Sequence, residues 1–115
     1  MKNKIIVMDL DGTICFPNLE FKDSYTRYSM AEPNNDIIKK MQLLYTEGWE
    51  FVILTSRRML THGGDVKKIK EDVEEITQEW LNRHDVPYSY IQWGKPFAVY
   101  YVDDKSMSLE EFVNL

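Results

Sequence analysis

The chain has 115 residues, 43% hydrophobic and 13% aromatic, and a formal net charge of -5. This length suits one compact domain with a real core, so we predict a single domain over residues 1–115 with a flap at about 14–32. The acidic balance argues against general affinity for nucleic acid, although a local basic patch remains open. A lone cysteine, the absence of a signal-peptide pattern and the lack of a roughly 20-residue apolar run predict a cytoplasmic protein without a membrane partner.

The first predicted strand, residues 5–8, leads into the motif DLDGT, which begins at Asp9. Alternate side chains of a strand point to the same side, so Asp9 and Asp11 should converge while Leu10 turns toward the core. Two carboxylates this close repel each other, and either a shared proton or a hard cation such as Mg²⁺ would relieve the repulsion. Gly12 lets the backbone bend where a Cβ would clash. This pattern indicates phosphate chemistry with a divalent cation.

Helices and strands alternate along the rest of the chain. Residues 15–32 lack steady periodicity and are expected to form a loop over the acidic site. Pro33 is predicted as the first residue of a helix and Gly48 as its C-terminal cap. The other predicted elements are a strand over 49–54, a helix over 66–80, a short strand within 86–93, a strand over 98–102, and a terminal helix through 112–113 with Ser108 and Glu111 as its capping box.

This alternation predicts an α/β fold, because parallel neighbouring strands need a right-handed crossover connection. We expect a small doubly wound parallel sheet with helices on both faces and no separate cap domain. In such sheets ligands bind beyond the carboxyl ends of the strands. Polar groups distant in sequence should therefore meet there, namely Asp9, Asp11, Thr55, Asp103 and Asp104.

Residues 5–104 resemble the haloacid dehalogenase (HAD) superfamily of phosphohydrolases, whose four motifs occur in order: DLDGT at Asp9, Thr55 after VIL, Lys95 in GKP, and VDD at Asp103 and Asp104. The DLDGTICF opening, the GKP loop and the YVDDK ending are also similar to small capless phosphatases linked to bacterial capsule or polysaccharide biosynthesis. The resemblance implies a HAD-like, Rossmannoid fold and a hydrolase that acts on phosphate monoesters with Mg²⁺.

The resemblance also implies catalytic roles that the side chains permit. Asp9 would attack phosphorus and become a phosphoaspartate, and Asp11 would carry the proton to and from the reacting oxygens. Thr55 would bind phosphate oxygens, while Lys95 would offset the charge of the nucleophile and the phosphate. Further contacts with phosphate or substrate are expected from Gly12, Thr13, Ser56 and Arg57.

The metal ligands that the resemblance implies are Asp9, the backbone carbonyl of Asp11, and the pair Asp103 and Asp104. Alignment with the usual motif favours Asp104 as the direct ligand and Asp103 as a residue outside the first ligand set, although the two could exchange roles. The choice between them stays open at this stage.

Each assignment has a plainer alternative. Thr55 could cap the segment that follows it, and Lys95 could be a solvated loop residue. Arg57 and Arg58 could bind a second anionic group of the substrate or serve solubility. Cys15 is interpreted as a small buried side chain rather than a nucleophile. The acids at positions 71, 72, 74 and 75 are interpreted as a solvated helix face.

The leading hypothesis is a Mg²⁺-dependent phosphomonoesterase that acts on a phosphorylated sugar or a related small metabolite. A polynucleotide 3′-phosphatase or nucleotidase is the alternative within the same chemistry. A phospho-accepting receiver-like domain uses similar residues, but it keeps its phosphorylated Asp where this chain has Thr55. A noncatalytic binding domain is the third possibility. Without a cap the site should be open, which suits a bulky substrate or a small one enclosed by a second subunit of a homo-oligomer.

Overall fold

The structure is a computed structural model that describes residues 4–115. Its elements in chain order are β1 (Ile5–Asp9), β2 (Cys15–Phe16), α1 (Ser24–Ser29), β3 (Glu32–Pro33), α2 (Asn35–Thr46), β4 (Glu50–Thr55), α3 (Val66–Arg83), β5 (Tyr90–Trp93) and α4 (Leu109–Val113).

The main sheet consists of β1, β4 and β5, paired in parallel in that order. Its register places Asp9 opposite Leu54 and Thr55 opposite Trp93. All three strands therefore end at the same edge of the sheet, which is where the polar motifs follow. The predicted α/β class, with a parallel sheet flanked by helices and no separate cap, is confirmed.

Helices α2, α3 and α4 bury apolar residues in one core cluster with Met8, Phe51 and Ile53 of this sheet. The connection from β1 to β4 contains α2, the connection from β4 to β5 contains α3, and both move in the same direction across the sheet. Two right-handed connections in one direction place their helices on the same side of a sheet. On the opposite face, Ile5 is 47% exposed and Val7 is 57% exposed.

Apolar stripes on the helices build the core, as their spacing predicts. The buried residues of α2 are Ile37, Ile38, Met41 and Leu44, and those of α3 include Ile69, Val73, Ile76 and Trp80. Helix α4 begins with the predicted capping box and packs Phe112 edge-on against Phe51. No helix in the described part of the chain is both long and apolar enough to cross a membrane.

The prediction that Pro33 begins a helix is wrong. Pro33 lies in β3, where it pairs with Cys15 of β2, and α2 begins two residues later at Asn35. The strand pairing keeps Pro33 extended, so the helix starts only after Asn34. The Asn34 side chain donates to the backbone carbonyl of Thr13 at 3.0 Å, which ties the start of α2 to the turn between β1 and β2.

The predicted loop over residues 15–32 contains the short helix α1. Asp23 caps this helix by accepting a hydrogen bond from the backbone N–H of Thr26. Its one buried residue, Tyr28, packs beside α3 residues such as Ile69. A helix of six residues is too short to show helical periodicity in the sequence, which is why it was missed.

The predicted strand over residues 98–102 is also wrong. This segment is irregular and exposed, with Val102 98% accessible. The Tyr101 hydroxyl donates to the carbonyl of Pro96 at 2.6 Å and accepts from the N–H of Ala98 at 3.0 Å. These local bonds close a loop and replace the hydrogen bonds of a sheet, although the residue types favour a strand.

We expect the core to depend strongly on Trp80, which is 2% exposed and donates its indole N–H to the carbonyl of Ala31 at 2.9 Å. Trp80→Ala should lower the free energy of unfolding by about 3–5 kcal/mol, since it leaves a cavity and an unpaired carbonyl. Urea unfolding followed by circular dichroism measures this change. Leu43→Ala on the exposed side of α2 is the control, and equal losses for the two variants would contradict the assignment of the core.

Candidate active site

A tight turn after β1 brings the two acids of the first motif to one cavity. The carbonyl of Leu10 accepts hydrogen bonds from the N–H groups of residues 13–15 at 2.9–3.2 Å. Gly12 has φ +88°, a conformation that costs a residue with a Cβ much more than it costs glycine. Asp9 and Asp11 both line the cavity that opens beyond the strand ends.

Asp9 is held by a cation and a hydroxyl. Lys95 Nζ lies 3.2 Å from Oδ1 of Asp9, and the hydroxyl of Thr13 donates to Oδ2 at 3.4 Å. The backbone N–H of Lys95 donates to the carbonyl of Thr55 at 3.0 Å, which anchors the lysine at the end of β4. Its ammonium group also lies 4.1 Å from the ring centroid of Tyr101. Lys95 is therefore positioned by both backbone and side-chain contacts.

Thr55 is 1% exposed, and its hydroxyl oxygen accepts the backbone N–H of Arg57 at 3.0 Å. This bond turns the chain sharply after β4, so that Ser56 also borders the cavity. The cavity has a volume of about 460 Å³. The sequence-predicted residues that line it are Asp9, Asp11, Thr55, Ser56, Arg57 and Lys95.

The side chain of Arg57, which was expected to contact substrate, is buried and engaged by protein groups. Its Nε and Nη2 donate to the two carboxylate oxygens of Asp11 at 3.0 and 2.5 Å, and its Nη1 donates to the hydroxyl of Thr77 at 2.8 Å. The ring of Tyr28 lies 3.9 Å from the guanidinium carbon. Sequence reasoning missed Thr77 because a threonine inside an amphipathic helix carries no signal of such a contact.

Burial alone would lower the pKa of Arg57, but its hydrogen bonds and charge interaction with Asp11 outweigh that effect and raise it. Burial, followed by the charge of Asp11, raises the pKa of the Cys15 thiol far above its usual range. The thiol therefore stays protonated, and its Sγ donates to Asp11 at 3.4 Å. This agrees with the interpretation of Cys15 as a buried side chain rather than a nucleophile.

The structure does not bring the last acid pair to the cavity. Asp103 and Asp104 are both exposed, and neither lines the cavity. Asp103 accepts the backbone N–H of Lys105 at 2.9 Å, and this bond is the main reason that its pKa lies below the ordinary value. Over residues 4–115 there is no group of three or more His, Cys, Asp or Glu side chains arranged to hold a metal ion. Of the predicted metal residues, the cavity therefore holds only Asp9 and Asp11.

Asp72 holds Arg58, which lines the cavity, and so differs from its interpretation as part of a solvated helix face. Its carboxylate accepts the Ser24 hydroxyl at 2.7 Å and Arg58 Nε at 3.0 Å, and it lies 2.8 Å from Nε2 of His62. Burial alone would raise the pKa of Asp72, but the hydrogen bonds from His62, Ser24 and Arg58 together lower it. One side chain on α3 thus joins α1 to the loop after β4. No feature of the acidic run distinguishes Asp72 from its neighbours in the sequence.

Solved structures resemble this chain over nearly its full length. A structural-genomics target from Vibrio cholerae is 35% identical, covers 97% of this chain and 89% of its own, and has a TM-score of 0.85. A chain of the Pnkp1/Rnl/Hen1 RNA repair complex is 14% identical over 96% of this chain and 29% of its own, with a TM-score of 0.56. The D,D-heptose 1,7-bisphosphate phosphatase from B. bronchiseptica, crystallised with magnesium and phosphate, is 16% identical over 90% of this chain and 54% of its own, with a TM-score of 0.53. No protein-family model matches the chain, and no curated protein does.

The hydrogen bonds of Asp72 predict that its contribution to stability depends on pH. Because its pKa is lower in the folded protein, this contribution is complete above the unfolded value of about 4 and is lost as the pH falls through the folded value. Asp72→Asn should lower the free energy of unfolding by about 1–3 kcal/mol at pH 7. The difference in the free energy of unfolding between Asp72→Asn and wild type should shrink below about pH 4. Urea unfolding at several pH values tests this, with the exposed Glu75→Gln on the same helix as control. A gap that stays constant with pH would contradict it.

Proposed function

The chain belongs to the same family as the Vibrio cholerae protein and has the HAD-like fold, and on this premise we propose that it is a Mg²⁺-dependent phosphomonoesterase. The observation that carries the proposal is the gathering of four groups at one cavity, although they are as far apart in sequence as positions 9 and 95. These groups are Asp9, Asp11, Thr55 and Lys95. They supply a nucleophile, a proton carrier, a hydroxyl and a cation within one space.

In the proposed first step, a carboxylate oxygen of Asp9 attacks phosphorus and the bond from phosphorus to the ester oxygen breaks. Asp11 gives a proton to that oxygen, which leaves as an alcohol. In the second step, water attacks the phosphoaspartate and gives a proton to Asp11, which releases phosphate and restores Asp9. Lys95, at 3.2 Å from Asp9, offsets the negative charge that the nucleophile and phosphate bring together.

The residues at the cavity fit Mg²⁺ in part. This ion often binds through one or two carboxylates, several waters and substrate phosphate, and Asp9 with the carbonyl of Asp11 would provide the protein side of such a site. Bound there, the ion would add positive charge that stabilises the phosphoryl oxygens. Asp104 is proposed as a further ligand. Alignment with the usual motif supports Asp104 over Asp103.

We further propose a phosphorylated sugar or related small metabolite as substrate, because a cavity of about 460 Å³ can enclose a molecule of that size. The narrower assignment to capsule or polysaccharide biosynthesis, and to the cytoplasm, rests on the sequence. A second subunit that covers the open side of the cavity is part of the same proposal. The similarity to a chain of an RNA repair complex favours 3′-phosphorylated polynucleotides as the second candidate substrate.

Asp9→Asn tests the nucleophile. The amide cannot form the phosphoaspartate, so we expect turnover of p-nitrophenyl phosphate with Mg²⁺ to fall by more than about 10³-fold. Mass spectrometry of acid-quenched wild type should find the added phosphoryl group on the peptide that contains position 9. Asp36→Asn, in the first turn of α2 and outside the cavity, is the matched control. Wild-type rates in Asp9→Asn would refute the mechanism. A panel of sugar phosphates, nucleotides and 3′-phosphorylated oligonucleotides then ranks the substrates.

The two acids at 103 and 104 provide a separate test of the metal site. If Asp104 is the direct ligand, Asp104→Asn should raise the Mg²⁺ concentration needed for half-maximal activity about 10-fold or more, and Asp103→Asn should change it less. Titration of each variant with MgCl₂ measures this difference. The reverse order would make Asp103 the ligand, and no change in either variant would remove both acids from the site.

A further inference from the structure

Arg57 has more contacts than any substrate-binding role requires. It is 5% exposed, and three of its nitrogens donate to protein groups: two carboxylate oxygens of Asp11 and the hydroxyl of Thr77. Its Nη2 also contacts the sulfur of Cys15 at 3.7 Å, and the ring of Tyr28 covers one face of the guanidinium group. These contacts come from the turn after β1 and from β2, α1 and α3. They leave little of the group free for a ligand.

Asp11, the partner of Arg57, is bound by the arginine on one side and faces the cavity on the other. The side chain of Asp11 is 31% exposed and lines the cavity, while both of its oxygens accept hydrogen bonds from Arg57. A carboxylate offers about four acceptor positions. Arg57 and the Cys15 thiol together use three of these positions, two of them on Oδ1, so a position on Oδ2 remains for a proton. The planar guanidinium fork also restricts rotation of the carboxylate, which a single ammonium group could not do as well.

We propose that Arg57 is a positioning residue that aims the carboxylate of Asp11 at the ester oxygen of the substrate. Thr77 and Tyr28 hold the guanidinium group in place, so the aim of Asp11 depends on two helices that carry no proposed catalytic group. The inference rests on the proposed phosphomonoesterase function and deepens it. It assigns to Arg57 an effect on proton transfer rather than on substrate binding.

Comparing two esters separates these roles. The leaving oxygen of glycerol 2-phosphate needs a proton, whereas that of p-nitrophenyl phosphate leaves readily without one. If Arg57 aims Asp11, Arg57→Ala should lower kcat for glycerol 2-phosphate by about 10²-fold and for p-nitrophenyl phosphate by less than about 10-fold. KM for both esters should change little. A residue that merely supported the fold would affect the two esters equally.

Two further measurements sharpen the test. Guanidinium chloride at millimolar concentration should restore part of the glycerol 2-phosphate activity of Arg57→Ala, because the small cation can enter the space that the side chain leaves. Arg57→Lys keeps the charge but not the fork, so it should remain impaired on this ester. Arg83→Ala is the matched control, since Arg83 is exposed and contacts the carbonyl of Ser29 outside the cavity.

Thr77→Val provides a variant that leaves Arg57 and Asp11 intact. It removes the hydrogen bond to Nη1 while nearly preserving side-chain volume, and we expect a loss of about 3- to 10-fold on glycerol 2-phosphate and less than about 2-fold on p-nitrophenyl phosphate. Thr46→Val, at an exposed position of α2, is its control. If Arg57→Ala fails to fold by circular dichroism, Thr77→Val decides the question alone.

The outcomes are distinct. Equal losses on the two esters, or a rise in KM alone, would overturn the positioning role and return Arg57 to structure or substrate binding. If wild type hydrolyses neither ester nor any member of the substrate panel, the proposed function fails. A larger loss on glycerol 2-phosphate than on p-nitrophenyl phosphate, in a wild type active on both, supports the inference.

Discussion

Parallel pairing of β1 with β4 determines where the groups of this site can lie. The register sets Asp9 opposite Leu54, so the first acid and Thr55 emerge at neighbouring strand ends. The chain returns along β5, and Lys95 then binds the end of β4 through its own backbone N–H. The backbone thus carries three separate parts of the chain to one edge, as parallel sheets generally do at their carboxyl ends. Every contact of the cavity depends on that alignment.

The negative charges of Asp9 and Asp11 are balanced by two protein cations, which the pair of acids by itself does not predict. Repulsion between Asp9 and Asp11 suggested a shared proton or a bound cation. In the structure each acid has a cation of its own, with Lys95 at 3.2 Å from Asp9 and Arg57 donating twice to Asp11. Burying a charged arginine is costly unless it is well paired, and its fork on Asp11 provides that pairing. Each acid therefore lies beside a cation that offsets its charge, although both acids line the same cavity.

The sequence predicted the long helices, the parallel sheet and six of the polar residues that line the cavity. Helix α3 shows a regular apolar stripe, and the capping box of α4 involves only neighbouring residues, so both are local signals. The failures come from contacts that residue patterns do not report. Pro33 is extended because it pairs with Cys15, and residues 98–102 form a loop because Tyr101 binds Pro96 and Ala98. In both places these contacts override the secondary structure that the residue types favour, and a sequence pattern does not report them.

What the sequence determined by itself is the set of chemical groups and the order of elements that carries them to one edge, because hydrophobic periodicity and turn residues act over short distances. Tertiary structure decided which groups touch. It turned Arg57 inward onto Asp11 and left Asp103 and Asp104 exposed outside the cavity. Both outcomes depend on packing between segments far apart in the chain, and such packing sets burial and partner choice only when the whole fold is in place.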